Sequence, residues 1–212
     1  MRSPRGSLRI VSIPITLIDL LPSSTVEAGE VFCGSFDSAL SADGLKALKK
    51  TVRRRQDWQV VLSSEHAACL PFAQWLSAKH HIPLHRYAEL AEMNFGEWEG
   101  QTPASIMEQN PAVLARWWRN PACLTPPEGE SFNQFQARIL PVWERLIHEN
   151  KGKRIVLVAQ PGVIRLLVMQ VLGMPSRHFF SLAIESGALA RIQVMHDEAG
   201  DWASLVAYGC HS

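Results

Sequence analysis

The stretch RIVLVAQPGVIRLLV, residues 154–168, constrains the fold more than any other part of the sequence. A short β-branched run ends at Pro161-Gly162, and apolar residues then recur at helical spacing, which is typical of a strand, a tight turn and a helix. Ligands of open α/β sheets bind where strands end and helices begin, because free helix N–H groups and the helix dipole meet there. The pattern therefore predicts that Gln160, at the turn, lies in a ligand crevice.

Strand-like and helix-like segments alternate along most of the chain, which favours a mostly parallel sheet with helices on both faces. The first strand is predicted over residues 11–18. Residues 95–125 contain Thr-Pro and Asn-Pro pairs, which are typical of the starts of short helices. We therefore predict a three-layer α/β fold in which residues 11–212 form a single domain with a small helical insertion at about 95–125. Residues 1–10 are predicted to be a flexible tail.

The longest helix is predicted within ESFNQFQARILPVWERLIHEN, residues 130–150. Apolar residues recur there every three to four positions and define one buried face. The residues predicted to point inward are Phe132, Phe135, Ile139, Trp143 and Leu146.

Charge and composition narrow the classes of partner. The 212 residues carry 21 Lys and Arg against 20 Asp and Glu, so the chain has no broad field that would attract nucleic acid or an anionic membrane. The basic run at residues 49–55 is more typical of a solvated helix face than of a binding surface for nucleic acid or membrane.

The amino-terminal sequence and the cysteines indicate a cytoplasmic protein. MRSPRGSLR followed by an apolar run imitates a secretory signal, but Pro14 and Asp19 interrupt that run. The four cysteines are far apart and show no metal-binding spacing, so we predict reduced thiols, no metal and no cofactor.

Four stretches occur in a recognisable order: FCGSFDSALSADGLKAL, LAEMNFGEWEG, PPEGESF and PGVIRLLV. Together they resemble the histidine phosphatase superfamily, the phosphoglycerate-mutase-like group, and look most like the bacterial α-ribazole phosphatases of cobalamin biosynthesis. The resemblance runs from about Ile15 to Tyr208 and implies a phosphoglycerate-mutase-like fold. It also implies phosphohistidine chemistry: one histidine attacks phosphorus, arginines hold the phosphoryl oxygens, and a carboxylate protonates the leaving oxygen.

The resemblance fails at the positions that carry this chemistry. The family's LIRHG is matched by LIDLL, which places the arginine position at Asp19 and the nucleophile position at Leu20. SSEHAAC puts Ala68 at the second arginine, and AQPGVIR puts Gln160 at the second histidine. Of the five positions only the acid is retained, as Glu92.

Leucine has no lone pair, so a phosphohistidine cannot form at position 20, and the carboxylate of Asp19 would repel phosphate. The sequence therefore favours a pseudophosphatase that binds an unidentified small molecule or protein partner. Further candidates to line its crevice, beside the positions already named, are Ser63, Ser64, His66 and Gly162.

Three other interpretations stay open. The chain is an active phosphoric monoester hydrolase related to α-ribazole phosphatase if Glu92 or His66 activates water. It is a structural partner if it pairs with an active homologue or with another cobalamin enzyme, and a homodimer is a separate candidate assembly. Asp19 and Glu92 could serve as cation ligands, but two carboxylates are too few for a hard divalent cation, and we expect Asp19 to bond to its own turn instead.

Overall fold

The computed structural model describes residues 13–23, 31–34, 39–53, 55, 57–185 and 188–210. The strands in these residues form one sheet, and their bounds are β1 Ile15–Pro22, β2 Val60–Ser64, β3 Leu84–Tyr87, β4 Arg154–Ala159, β5 Leu189–Asp197 and β6 Gly200–Cys210. The order across the sheet is β3-β2-β4-β1-β5-β6. The tail predicted at residues 1–10 lies outside the described residues.

Parallel pairing joins β1 to β4, β4 to β2 and β2 to β3. β5 pairs antiparallel with both β1 and β6. This arrangement confirms the predicted α/β fold with a mostly parallel sheet. The carboxyl ends of β1, β2 and β4 meet at one edge, which is where a site is expected in such a sheet.

The helices lie on both faces of the sheet, and their bounds are α1 Ala42–Thr51, α2 Leu70–His80, α3 Pro103–Gln109, α4 Pro111–Arg119, α5 Phe132–Glu149 and α6 Pro161–Leu172. α1 and α2 bury apolar residues against one face, and α3 to α6 contribute to the larger core on the other. α3 and α4 fall within the 95–125 stretch. No helix in the described ranges is long and apolar enough to cross a membrane.

α5 begins as its sequence predicts. The Ser131 hydroxyl accepts a hydrogen bond from the backbone N–H of Gln134, whose side chain returns to the backbone N–H of Ser131. This capping box satisfies two helix-end donors. All five residues predicted to point inward are buried.

β1 lies further along the chain than predicted. It runs from Ile15 to Pro22, whereas the sequence pattern placed its end at Ile18. The polar Asp19 lies within the strand, where Arg55 and Arg191 neutralise its carboxylate. Pro22 ends the strand and so needs no ladder N–H.

Candidate functional site

The carboxylate of Glu92 lies at the amino end of α6 and is buried. Its Oε2 accepts a 2.7 Å hydrogen bond from the backbone N–H of Gly162, and its Oε1 accepts a 3.0 Å bond from the backbone N–H of Met93. The first turn of a helix carries unpaired N–H groups and a positive dipole end, so a carboxylate is stabilised there. Glu92 therefore caps α6 with a side chain from a distant segment.

Gly162 is glycine because Glu92 occupies the space beside it. A Cβ atom built at position 162 would lie 2.1 Å from Oε1 of Glu92, far inside contact distance. The close approach of helix backbone and carboxylate therefore explains the glycine of the Pro-Gly pivot.

Gln160 precedes α6, and its side chain does not cap the helix. Its Oε1 accepts a 3.0 Å hydrogen bond from the backbone N–H of Glu92, and its Nε2 donates a 3.2 Å bond to the carbonyl of Gly34. The buried amide therefore uses one acceptor and one donor to hold two separate chain segments beside β4.

Ser23 follows the last residue of β1 and is fully buried. Its backbone N–H donates to the carbonyl of Ala159, the last residue of β4, at 2.9 Å. Its hydroxyl donates to the carbonyl of Ala68 at 2.5 Å. Ser23 therefore lies beside the turn that carries Gln160 and opposite the segment that leads into α2.

Cys69, the residue after Ala68, is also fully buried and lies against Ser23. Burial raises the pKa of its thiol strongly, the nearby Glu92 carboxylate raises it further, and hydrogen bonding with the Ser23 hydroxyl lowers it. A thiol in this environment stays protonated and is a poor nucleophile.

The other predicted crevice residues lie at the end of β2 and in the turn that leads to α2. Ser63 donates from its hydroxyl to the carbonyl of Ser64 at 2.7 Å, and the Ser64 hydroxyl accepts from the backbone N–H of His66 at 3.2 Å. Nδ1 of His66 accepts a 3.0 Å bond from the backbone N–H of Ala68. These side chains therefore organise the start of α2, and the Nδ1 lone pair of His66 is already in use.

Asp19 and Leu20 are not at this edge of the sheet. Leu20 pairs with Leu157 in the middle of β4 and is fully buried in the larger core. Asp19 points to the opposite face, where it accepts hydrogen bonds from Arg55, Trp58 and Arg191. This corrects two expectations, because Asp19 neither lines the crevice nor bonds to the backbone of its own turn.

Burial is the main influence on Glu92 and raises the pKa of its carboxyl group. The backbone N–H groups of Met93 and Gly162 oppose this shift, as do the charges of Arg165 and Arg138. A raised pKa suits a general acid, but here both oxygens already accept backbone hydrogen bonds.

Both nearby arginines are engaged away from the carboxylate. Arg138 donates to both oxygens of Glu130 and to the carbonyls of Glu89, Ala91 and Glu92. Arg165 donates from Nε to the carbonyl of Leu182 at 2.9 Å and lies over two phenylalanine rings. In the part of the chain that the structure describes, no group of three or more His, Cys, Asp or Glu side chains is placed to hold a metal ion.

The model of the histidine phosphatase superfamily (branch 1) matches residues 23–205, most of the chain. This chain belongs to the histidine phosphatase superfamily. One curated member of the superfamily, the adenosylcobalamin/α-ribazole phosphatase of Escherichia coli K12, is 24% identical over 166 residues, which are 77% of this chain and 82% of that protein. Another, the 2,3-bisphosphoglycerate-dependent phosphoglycerate mutase of Protochlamydia amoebophila, is 27% identical over 147 residues, which are 68% of this chain and 60% of that one.

Solved structures of the superfamily share the fold. The α-ribazole phosphatase of Shigella flexneri superposes with a TM-score of 0.78 at 21% identity and covers 92% of this chain and 97% of its own. A mycobacterial glucosyl-3-phosphoglycerate phosphatase superposes with a TM-score of 0.76 at 20% identity, over 94% of this chain and 100% of its own. At these identities the likeness establishes the fold alone, and the phosphoglycerate-mutase-like architecture predicted from the sequence is confirmed.

Of the predicted site residues, the structure brings Glu92, Gln160 and Gly162 together, with Ala68 joined to them through Ser23. Ser23 and Cys69 were missed as site residues. Ser23 had a signal in the sequence, because it is the first polar residue after the apolar run that ends at Pro22. Cys69 had none, since an isolated cysteine at a helix start is usually a packing residue.

Proposed function

We propose that this protein is a pseudophosphatase: it keeps the histidine phosphatase fold, has lost phosphohistidine catalysis, and has a binding or regulatory role. The single observation that carries the proposal is the position of Ser23. It follows β1, donates from its backbone N–H to the end of β4, and lies beside Gln160.

This position suggests a different alignment of the superfamily motif. In the superfamily pattern the nucleophilic histidine belongs to strand one and the second histidine ends a late strand. If the two histidine positions meet at the carboxyl edge of the sheet, Pro22 corresponds to the arginine of the motif and Ser23 to the nucleophile. Asp19 and Leu20 then lie outside the motif. The chemical conclusion is unchanged, because proline and serine supply neither a guanidinium group nor an imidazole.

Ser23 is also a poor substitute nucleophile. Serine attacks phosphorus only when a neighbouring base accepts its proton. Here its hydroxyl donates to the carbonyl of Ala68, and Nδ1 of the nearby His66 already accepts a backbone N–H. Ala68 and Gln160 occupy the other two positions, so the cationic donors to the phosphoryl group are missing there as well. In other enzymes, removal of a single such donor lowers kcat about a hundredfold to a thousandfold.

One observation favours the alternative, a phosphomonoesterase of altered chemistry. The pKa of Glu92 is raised by burial, as that of a general acid would be. Curated relatives are named for α-ribazole phosphatase activity, so α-ribazole phosphate is the substrate to test.

A phosphatase assay on the pure protein separates these candidates. We expect no release of phosphate from para-nitrophenyl phosphate or α-ribazole phosphate, and no acid-labile phosphoprotein. Hydrolysis that Glu92→Ala abolishes would instead establish the alternative.

A gain-of-function experiment tests the alignment. The fourfold variant Pro22→Arg, Ser23→His, Ala68→Arg and Gln160→His should form a phosphoenzyme. The matched variant replaces the first two changes by Asp19→Arg and Leu20→His. We expect it to fold poorly, because both changes put charge or polarity into the buried interior of β1.

The binding role predicts a distinct ligand preference. The two arginines near Glu92, Arg138 and Arg165, are engaged by other partners, so we expect α-ribazole to bind at least as tightly as α-ribazole phosphate in calorimetric titrations. A clear preference for the phosphorylated form would contradict this role.

A further inference from the structure

A row of exposed apolar residues crosses three strands at the end of the sheet away from Glu92 and Gln160. Ile15 pairs with Met195, and Met195 pairs with Trp202, so the three side chains lie side by side on one face of β1, β5 and β6. Trp202 is 59% exposed. We call this surface the β5–β6 patch, and its exposed apolar members are Ile13, Ile15, Met195, Trp202 and Val206.

The patch occupies the half of its sheet face that the helices of the described residues leave open. Alternate residues of β1 share a face, so Ile15 lies on the same side as Leu21. α1 and α2 pack over Leu21 and over β2 and β4 on that side. Within the described ranges, no helix packs over Met195 or Trp202, which are both exposed.

A shallow depression adjoins the patch. Its volume is about 530 Å³, and its lining includes Ile15, Leu17, Arg154 and Gln193. Leu17 pairs with Gln193, so the depression lies two strands away from Trp202 on the same face. At a strand spacing of about 4.8 Å, the protruding indole and the depression are about 10 Å apart.

We propose that the β5–β6 patch is the interface of a symmetric dimer of this chain. A two-fold axis that runs above this face and parallel to β5 places Trp202 of each copy over the depression of the other. Such an isologous contact requires a projection and a matching recess on one surface, and this face has both. The guanidinium group of Arg154 lies at the recess, where it can stack on an incoming indole.

The charge at the recess is already paired, because Arg154 forms an ion pair with Asp57. Arg154 therefore brings no unpaired charge into a contact with a second copy.

The available area is of the size that a dimer needs. The five apolar side chains expose on the order of 500 Å², which is near the upper end for a patch on a monomer. A standard interface buries about 800 Å² on each partner, and the polar residues between the apolar ones supply the remainder.

Sedimentation velocity on the full chain tests the proposal. The wild type should sediment as a dimer that dissociates on dilution. Trp202→Glu should raise the dissociation constant at least about 30-fold, as for an interface hot spot. The matched control is Trp118→Glu, another exposed tryptophan that lies on α4 and should leave the dimer unchanged.

Disulfide trapping locates the interface. Met195 lies next to the proposed axis, so Met195→Cys should give an oxidised covalent dimer much faster than Met107→Cys, an exposed methionine of α3, or the unsubstituted chain. Pairing of two β6 edges would also give a dimer, but it would keep the two Met195 residues apart.

Two results would overturn the proposal. One is a wild type that stays monomeric at every concentration. This result would overturn the proposal both if the patch faces solvent and if residues 1–12 of the same chain cover it. The other is a dimer that Trp202→Glu does not weaken and Met195→Cys does not trap.

Discussion

Arg191 donates two hydrogen bonds to Asp19, from Nε to Oδ1 at 2.7 Å and from Nη2 to Oδ2 at 2.8 Å. The two residues are opposite each other on β1 and β5. Arg55 and the indole N–H of Trp58 bond to the same carboxylate, at 3.2 Å and 2.9 Å. The sheet therefore carries a buried ion cluster that joins β1, β5 and the segment after α1.

Removing the carboxylate should destabilise the protein. Asp19→Ala leaves two arginines without their counter-ion, and since these arginines are partly exposed we expect a loss of about 2 to 4 kcal/mol in the free energy of unfolding. Urea denaturation measures the loss. The matched control is Asp57→Ala, which breaks an exposed pair with Arg154 and should cost less than about 1 kcal/mol. Equal losses would contradict the assignment of Asp19 to the interior.

Gly162 and Glu92 should be energetically coupled. Gly162→Ala forces a Cβ atom against the Glu92 carboxylate and should cost about 1 to 3 kcal/mol. In a Glu92→Ala background the clash is gone, so the same change should cost clearly less. A double-mutant cycle in urea measures this coupling, and additive effects within about 0.5 kcal/mol would refute the contact.

The stability of the protein should depend on pH through Glu92. Burial raises the pKa of Glu92, so between the ordinary glutamate pKa and the raised one the folded chain holds a proton that the unfolded chain has released. The free energy of unfolding therefore falls as pH rises through this interval. Denaturant unfolding at a series of pH values should show this fall in the wild type and a smaller one in Glu92→Gln. Parallel curves would mean that the folded state does not shift this pKa.

Cysteine reactivity should separate Cys69 from Cys123. Cys69 is fully buried and its thiol pKa is raised, whereas Cys123 is exposed. Iodoacetamide followed by peptide mass spectrometry should label Cys123 in the native protein and Cys69 only after unfolding. Rapid native labelling of Cys69 would show that the site opens readily.

Local patterns were enough to predict α5 and the turn before α6. The buried face of α5 depends on residues three and four positions apart, and the Pro-Gly pivot depends on adjacent residues, so the sequence holds both signals. The end of β1 depends on non-local contacts instead. Asp19 looks like a strand terminator unless Arg191, 172 positions away, is known to neutralise it.

The same limit applies to the candidate site. Gln160 and Glu92 were found because short motifs mark them. Ser23 became a site residue only once the pairing of β1 with β4 showed which residue faces the turn at Gln160. The basic run at residues 49–55 was interpreted as a solvated helix face, yet Arg55 reaches the buried Asp19.

The contact between Glu92 and Gly162 has a consequence for tracing how such proteins diverge. A carboxylate that caps a central helix contributes to folding whether or not the protein turns over a substrate. In a relative with the same contact, the acid alone is therefore no record of an ancestral or surviving activity. Residues that serve catalysis but not folding are free to vary once an enzyme no longer turns over substrate. Substitutions at those positions are therefore the better indicator that activity has been lost.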